Sequence, residues 1–187
     1  MPVSRLAKRE KGSSSRSAEA PKEELRERML GGNALTTAWR LNYIANFYTV
    51  PFYLALEQQY GVSRPEYVIL FCVAHHPGVT AQEIVLATGR PKNSISVAVS
   101  KLERKKWVTR RPDQADSRRL ELRLTASGAS IYRSIVPLLQ ERERRMLETL
   151  TAAERRQFDA LLMKLARGVT EWASPDLSPL LADDSRG

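Results

Sequence analysis

The residues best suited to chemistry in this sequence are basic, and most of the net charge lies in one short segment. Residues 90–111 contain eight lysines and arginines and a single acid, Glu103, so this segment carries +7 of the chain's +9. The pI is near 10.0, which indicates attraction to an acidic polymer or surface. Charge concentrated in this way favours a nucleic acid as the partner over a merely basic, soluble surface.

Side chains for other kinds of chemistry are scarce. Cys72 is the only cysteine, which excludes an internal disulfide and a CxxC metal site. His75 and His76 are adjacent rather than at the spacing of a helical metal site, and no glycine-rich phosphate loop or nucleophile elbow is present. We therefore expect no enzyme activity, no metal and no cofactor. With no secretory signal, and with Val68–Ala74 as the longest apolar run, we expect a cytoplasmic protein.

Two short helices are predicted to position the basic segment. Residues 81–88 predict the first helix, and Gly89 provides a turn that permits positive φ. Pro91 suits the first position of a second helix over residues 91–106. One face of this second helix is apolar and is predicted to be buried: Ile95, Ala98, Val99 and Leu102. The opposite face is predicted to be exposed and carries Asn93, Ser96, Val97, Ser100 and Arg104.

The exposed face of the second helix has the chemistry of a surface that reads DNA. Asn93 is suited to pair through two hydrogen bonds with adenine, and Lys92 and Lys101 reach guanine or phosphate. The small serines let the helix backbone approach base edges, with the N-terminal end of the helix in the major groove. A solvated amphipathic helix is the alternative for an isolated segment. The capped helix before it and the basic hairpin after it favour DNA.

The segment after the second helix changes to strand periodicity. Leucines alternate with charged residues over residues 120–124, and residues 107–111 supply a partner strand across a turn-forming loop. Arginines on such a ribbon suit a minor groove, where the negative potential is enhanced. Asp116 is expected to pair with Arg118 or Arg110 and to orient the arm. A surface salt-bridge cluster of little energetic value is the alternative.

The flanking segments predict long helices and two loose tails. Residues 1–24 are polar and charged and predict a disordered basic tail, and residues 174–187 predict a flexible one. Residues 25–62 predict a long helix that begins near Leu25 or Asn33 and runs toward Tyr60. Pro51 is expected to kink or split this helix, and Gly61 is expected to end it.

Three capping boxes mark further helix starts: Ser63–Glu66, Thr80–Glu83 and Thr151–Glu154. They predict helices that begin at Arg64, Ala81 and Ala152. Thr125 predicts the cap of another helix, which runs through Leu150. The DNA-binding lobe is thus predicted over residues 63–125 and the C-terminal helices over residues 126–173.

Residues 80–128 resemble the MarR family of winged helix-turn-helix regulators, and the resemblance extends over about residues 33–172. Its most specific part is the Asp116-Ser117-Arg118 signature of the wing. The other matching residues are Val99–Glu103, Val108, Arg110, Arg111, Asp113, Leu122, Leu124, Thr125 and Gly128, with Gly61 and Val62 before the capped helix. Lys106-Trp107 departs from the family, which commonly has glycine followed by an apolar residue, so the local turn is expected to differ.

The resemblance implies a mainly α winged helix-turn-helix fold with a small β wing and long dimerisation helices. It implies a ligand-responsive homodimeric repressor that binds a palindromic operator in double-stranded DNA. The candidate DNA-binding residues are Arg90, Lys92, Asn93, Ser94, Ser96, Ser100, Lys101, Arg104, Arg110, Arg111, Arg118 and Arg119. Two apolar stripes supply a dimer interface or, alternatively, an ordinary intramolecular core: Leu138, Leu139, Met146, Leu147 and Leu150 in one helix, and Phe158, Leu161, Leu162, Leu165, Val169 and Trp172 in the next.

The resemblance also implies control by a small aromatic or phenolic acid bound between the dimerisation helices and the DNA-binding lobe. Arg40 is the candidate partner for the carboxylate of that ligand. The candidate ligand-binding residues are Trp39, Arg40, Tyr43, Asn46, Phe47, Phe71 and His75, and core packing is the alternative for most of the aromatic ones.

Two other functions are weighed against ligand control. One is a redox-responsive regulator that uses Cys72, which lies in an apolar helix segment where a thiol is usually inert. The other is a non-specific architectural protein that binds nucleic acid through the same fold.

Overall fold

Helices dominate the structure, and one small antiparallel sheet accompanies them. The computed structural model describes residues 14–32, 34–113, 116 and 118–173. The elements in chain order are α1 (Ser14–Gly31), α2 (Thr36–Tyr60), α3 (Arg64–His75), α4 (Ala81–Thr88), α5 (Lys92–Arg104), β1 (Val108–Pro112), β2 (Leu120–Leu124), α6 (Ala126–Met146), α7 (Ala152–Arg167) and α8 (Val169–Trp172). The chain divides into two compact units, and the boundary falls inside α6, after Tyr132. The predicted fold class, mainly α with a small β wing, is confirmed.

Capping boxes begin three helices at the predicted residues. α3, α4 and α7 start at Arg64, Ala81 and Ala152, each directly after the capping hydroxyl residue. At α4 the Thr80 N–H donates to the Glu83 carboxylate (2.8 Å), and the Glu83 N–H donates to the Thr80 hydroxyl (3.2 Å). Each box thus satisfies N–H groups that have no partner within the helix.

The N-terminal region differs from the prediction in two ways. α1 begins at Ser14, so the prediction of a disordered tail is wrong for residues 14–24, while residues 1–13 lie outside the described part of the chain. Alanine and glutamate make up five of these eleven residues, and both are strong helix formers. α2 begins at Thr36, close to the predicted start at Asn33, and it contains Pro51 in its interior, so this proline does not split the helix. The break between α1 and α2 follows Gly31 and Gly32, since glycine weakens a helix.

The recognition helix α5 is shorter than predicted at both ends. Pro91 precedes the helix as its N-cap residue instead of occupying its first turn. At the other end Lys106 adopts a positive φ of 58°, a conformation that disfavours any residue with a side chain except in tight turns. The helix therefore stops at Arg104, and β1 begins one residue later than predicted, at Val108. Lys106 stands where the family commonly has glycine, so the expected local difference is a strained lysine at that turn.

α6 ends at Met146, four residues before the predicted end at Leu150. A hydrogen-bonded turn follows, in which the Leu150 N–H donates to the carbonyl of Leu147 (3.1 Å). This turn lets Thr151 adopt the extended conformation that a capping residue needs at the start of α7. The predicted tail over residues 174–187 lies outside the described residues.

The core of the N-terminal unit lies where the periodicities predict it. The apolar stripe of α5 is buried together with residues of α3, α4 and the two strands: Ile69, Leu70, Val73, Ile84, Ile95, Ala98, Val99, Leu102, Val108 and Leu122. Each fully buried large side chain stabilises the unit by about 1.5–3 kcal/mol relative to exposure. Burial of this stripe turns the opposite stripe of α5 outward.

The wing is joined to the segment between α3 and α4. β1 and β2 pair antiparallel with Arg110 opposite Leu122. The Gly78 N–H donates to the carbonyl of Leu122 (3.0 Å), and the Leu122 N–H donates to the carbonyl of Val79 (3.0 Å). Gly78 has a φ of 95°, and a Cβ there would lie 3.1 Å from the Glu121 carboxylate. The base of the wing is therefore held from both sides.

The start of α6 approaches the start of β1 closely. The Thr125 hydroxyl donates to the carbonyl of Lys106 (2.7 Å), and the Gly128 N–H donates to the Thr125 hydroxyl oxygen (3.1 Å). A Cβ on Gly128 would lie only 2.0 Å from the carbonyl oxygen of Trp107. Glycine is therefore required at this position by close backbone approach.

A buried ion pair fixes the C-terminal end of α5. Glu66 is 2% exposed, and its carboxylate accepts from the Ser63 N–H (2.9 Å), the Ser63 hydroxyl (2.7 Å) and the Lys105 ammonium (2.5 Å). The ammonium also donates to the carbonyl of Gly61 (2.6 Å) and lies 4.9 Å from the centroid of the Trp107 ring. Burial acts to raise the pKa of Glu66, but the hydrogen bonds from Lys105 and Ser63 outweigh it, and the pKa is lowered overall. The end of α2, the first turn of α3 and the end of α5 thus meet around the Glu66–Lys105 ion pair.

Gly128→Ala is expected to destabilise the N-terminal unit by about 2–4 kcal/mol, because the new methyl group collides with backbone that has no flexible end to displace. Gly31→Ala is the matched control, since a Cβ there meets nothing within 4 Å. It should be neutral or stabilising by up to about 1 kcal/mol. Chemical denaturation of both variants and the parent measures the difference, and equal stability of all three would contradict the close approach.

Glu66→Gln is expected to lower the free energy of unfolding at pH 7 by about 1–3 kcal/mol, because Lys105 loses the charge of its buried partner. The folded-state pKa of Glu66 lies below 4.5, so the carboxylate stabilises the protein above that pH and its contribution is lost as the pH falls through the folded value. The difference between parent and variant should therefore shrink in acid.

Glu154→Gln serves as the control, because Glu154 holds the same capping-box position in α7 without a lysine partner. Urea denaturation at pH 7 and pH 4 gives the comparison. A larger loss in the control than in Glu66→Gln would rule out the special role of the ion pair.

Candidate nucleic-acid interface

The outward face of α5 presents polar and basic side chains as predicted. Asn93, Ser96, Val97, Ser100 and Arg104 are exposed, as are Lys92 and Lys101, while Ser94 is half-buried. The Ser100 hydroxyl donates to the backbone carbonyl of Ser96 (3.1 Å), which keeps this serine close to the helix surface. Within the described part of the chain, no ion pair engages Lys92, Lys101 or Arg104. These cations therefore remain free for an external acidic group.

A shallow groove runs beside this face. It has a volume of about 330 Å³ and is lined by the start of α3 and one side of α5: Ser63, Pro65, Asn93, Ser94, Val97, Ala98 and Lys101. The groove therefore places the first turn of α3 next to three of the candidate DNA-binding residues.

Two arginines of the wing are engaged within the lobe. The Arg119 guanidinium lies 2.9 Å from the Glu83 carboxylate and 3.8 Å from that of Asp113. The Arg110 guanidinium lies 3.1 Å from the carboxylate of Glu103. Such partly exposed pairs contribute little free energy each, but they orient the wing against α4 and α5. The sequence grouped both arginines with the DNA contacts, and the structure engages them with acids instead.

Two other arginines of the wing, Arg111 and Arg118, are exposed. No ion pair joins either guanidinium to a carboxylate of residues 14–32, 34–113, 116 or 118–173. They are thus the wing side chains available to an external acid.

Asp116 orients the wing in a different way from the one predicted. Its carboxylate accepts from the backbone N–H of Arg118 (3.0 Å) rather than from a guanidinium, and the Arg119 N–H donates to the Asp116 carbonyl (2.9 Å). The Asp116 N–H donates in turn to the Asp113 carboxylate (3.3 Å). A carboxylate that binds backbone N–H groups shapes a turn, so Asp116 leaves the Arg118 side chain unpaired.

Arg90 is half-buried in the turn between α4 and α5. Burial and the positive charge of Arg64 lower its pKa, while Tyr53 acts to raise it. Sequence analysis does not single out Arg64 or Tyr53, because they are distant from Arg90 along the chain. The one local signal is an arginine directly after the capping serine of α3.

The candidate ligand-binding residues form two pairs of rings rather than one enclosed cluster. Tyr43 and Phe47 of α2 have ring centroids 4.6 Å apart, and Phe71 and His75 of α3 have centroids 4.5 Å apart. The His75 Nε2 atom hydrogen-bonds the Tyr132 hydroxyl (2.9 Å). Asn46 is exposed on α2.

Arg40 has a partner within the chain. Its Nε–H donates to the carbonyl of Leu30 (2.7 Å) at the end of α1, and this bond does not use the two terminal NH2 groups of the guanidinium. The aromatic side chains are not simple core, since Trp39, Phe47 and Phe71 are 37%, 64% and 46% exposed. Sequence periodicity alone does not distinguish a face covered by the same chain from one left uncovered.

Cys72 is half-buried, and burial raises the pKa of its thiol. Because the thiolate is the reactive form, this environment disfavours a redox role. No helix in the described part of the chain is both long and apolar enough to cross a bilayer.

Comparisons with known proteins agree with this geometry. Residues 60–119 match the model of the MarR family. The transcriptional regulator HosA of Escherichia coli O157:H7 is 27% identical over 104 residues, which cover 56% of this chain and 77% of HosA. The Staphylococcus aureus MepR–DNA complex is 25% identical with a TM-score of 0.64, over 73% of this chain and 99% of MepR.

A third relative carries a ligand. The Mycobacterium tuberculosis protein Rv2887, an HTH-type transcriptional repressor, is 28% identical over 105 residues, which cover 56% of this chain and 76% of that one. Its structure with salicylic acid is similar to this one with a TM-score of 0.56 and 25% identity, over 68% of this chain and 94% of that chain. Residues 60–119 contain the capped helices α3 and α4, together with α5 and the start of the wing. Residues 60–119 therefore match the MarR family of transcriptional regulators, and the fold of the chain is similar to that of its solved members.

Proposed function

We propose that this protein represses transcription by binding a specific palindromic operator as a homodimer, with α5 in the major groove and the wing in the adjacent minor groove. The observation that carries the proposal is the unpaired polar and cationic face of α5, backed by a fully buried apolar face. The MepR–DNA complex supports DNA as the partner, and the name of Rv2887 supports repression. Because the proposed operator is chromosomal DNA, the proposal includes a cytoplasmic location for the protein.

Base reading is assigned to the N-terminal half of α5. Asn93 supplies the donor and acceptor pair that matches adenine, and Ser94 and Ser96 are short enough to let the backbone approach base edges. Lys92, Lys101, Ser100 and Arg104 continue this face and bind phosphates or guanine. The exposed methyl groups of Val97 add an apolar surface that suits a thymine methyl group.

The wing arginines divide into two roles in this proposal. Arg118 and Arg111 extend into the minor groove, where narrow geometry enhances the negative potential. Arg119 and Arg110 orient the wing through Glu83 and Glu103, at distances of 2.9 and 3.1 Å, and reach phosphate only if those exposed pairs rearrange.

Dimerisation is supported by apolar faces that the chain itself leaves uncovered. Among its described side chains α7 buries none, although Leu161, Leu162 and Leu165 lie on one face and are 54%, 37% and 51% exposed. α2 also exposes large apolar side chains, namely Leu35, Trp39, Leu41, Ile44, Phe47, Val50 and Leu54. Surfaces of this extent mark interaction sites in soluble proteins. A second copy of the chain covers them in this proposal and sets the two recognition helices one DNA turn apart, about 34–36 Å.

A small aromatic acid is proposed as the effector, because Rv2887 binds salicylic acid. The exposed ring pairs Tyr43–Phe47 and Phe71–His75 offer apolar surface for such a ring. Trp39 and Asn46 remain further candidates, as does Arg40, whose bond to the Leu30 carbonyl uses the Nε–H and not the terminal NH2 groups. Binding would favour a spacing of the two recognition helices that does not match DNA.

Asn93→Ala tests whether the protein reads sequence. Because the two-bond match to adenine is lost while alanine preserves the helix, affinity for the cognate duplex should fall by about 1–3 kcal/mol. Affinity for a shuffled duplex should change little. Fluorescence anisotropy with DNA from the gene's own upstream region and with the shuffled sequence measures both.

Gln58→Ala on the exposed surface of α2 is the matched amide control. Equal binding of the parent protein to both duplexes would favour the architectural alternative. A peroxide response that Cys72→Ser abolishes would favour the redox alternative.

Leu161→Glu tests the dimer. Each dimer loses two buried leucines, worth at least about 3 kcal/mol together, so the dissociation constant of the dimer should rise at least about 100-fold. Arg156→Gln is the control, because it changes the net charge by the same amount on the opposite side of α7. Analytical ultracentrifugation reports the mass, and circular dichroism verifies that helices remain. A Leu161→Glu protein that stays dimeric at nanomolar concentration would defeat the assignment.

A further inference from the structure

One arginine lies over a tyrosine ring in the N-terminal unit, and a second lies just before α5. The guanidinium carbon of Arg64 lies 5.3 Å from the centroid of the Tyr53 ring, a cation–π distance. Arg90 is half-buried in the turn directly before Pro91, the N-cap residue of α5. Burial raises the pKa of Tyr53 while Arg64 and Arg90 lower it, and burial and Arg64 lower the pKa of Arg90. The three side chains come from α2, from the first residue of α3 and from the turn before α5.

These two positive charges have no acidic counterpart among the residues that the structure describes. Neither Arg64 nor Arg90 forms an ion pair with a carboxylate in the described part of the chain. The nearest acid in sequence to Arg64, Glu66, is committed to Ser63 and Lys105. The positive charges of Arg64 and Arg90 repel each other, and the contact of Arg64 with Tyr53 offsets only part of that cost. An external anion would relieve the repulsion.

The location of Arg64 and Arg90 beside α5 points to a DNA backbone phosphate as the anion. Ser63 and Pro65, the neighbours of Arg64, line the same groove as Asn93 and Lys101 of the reading face. Arg90 is separated from the first residue of α5 by Pro91 alone. A duplex seated on α5 therefore brings a backbone phosphate to this corner of the lobe.

We propose that Arg64 and Arg90, with Tyr53 beneath Arg64, form a phosphate clamp that binds the DNA backbone beside the bases contacted by Asn93. The proposal deepens the proposed function and rests on it. Guanidinium groups match phosphate oxygens through paired N–H donors. The Tyr53 ring holds Arg64 in place before DNA arrives, which reduces the entropy lost on binding. Contacts of this kind position the protein and carry no sequence information.

The salt dependence of binding tests the clamp. Each phosphate contact contributes about −0.9 to the slope of log K against log salt concentration. Arg64→Ala should make the slope shallower by about 1, and the Arg64→Ala/Arg90→Ala double variant by about 2, on cognate and shuffled duplexes alike. Arg64→Lys keeps the charge and should keep the slope. Tyr53→Leu removes the support of Arg64 and should weaken binding about two- to fivefold.

Two further variants serve as positive and negative controls. Arg118→Ala, on the wing, should also make the slope shallower. Arg156→Ala removes the same charge from α7 and should leave the slope unchanged. Melting temperatures verify that each variant is folded. If the parent fails to bind duplex DNA, the proposed function itself is wrong. If the parent binds with a steep slope that the folded double variant retains, the clamp alone is overturned.

Discussion

The contact between Glu66 and Lys105 is the constraint on which the proposed DNA-binding surface depends. Lys105 follows the last residue of α5, Glu66 lies in the first turn of α3, and the carbonyl of Gly61 marks the end of α2. One ammonium group thus sets the rotation of the recognition helix relative to its two supports. A shift of one residue in that helix would turn its reading face by about 100°. Buried ion pairs are weak evidence for stability, and the value of this one lies in geometry.

The basic residues of this lobe have two roles, pairing with acids of the same chain and facing outward. Net charge alone does not distinguish these roles. Lys105, Arg110 and Arg119 meet carboxylates of the same chain and so shape the lobe. Lys101 and Arg118 have no such partner in the described residues and face outward. The distinction rests on acids that are distant in sequence, such as Glu83, which both caps α4 and pairs with the wing. The backbone hydrogen bond from Thr80, with the charge of Arg119, lowers the pKa of Glu83 and keeps it ionised.

Local chemistry was predictable from the sequence, and long-range pairing was not. The capping boxes and the buried stripe of α5 depend only on residues within one or two helical turns of each other. The structure contains both features as predicted. The partners of Arg40 and Arg119 lie across turns and loops, so no periodicity revealed them. Pro51 suggested a split in the helix, but α2 continues through it, because the structure tolerates one missing backbone hydrogen bond within α2. Phe47 and Leu161 repeat as core residues do, although the chain itself leaves them exposed.

The absence of buried side chains among the described residues of α7 has a consequence for the abundance of the protein. In the proposed homodimer, α7 gains part of its stability from association, so its order depends on how many copies of the protein are present. At low copy number the C-terminal region would fray and the operator would be left open. As copies accumulate, assembly and occupancy of the operator rise together and more steeply than the amount of protein. Gene dosage would then act on such a repressor as a threshold.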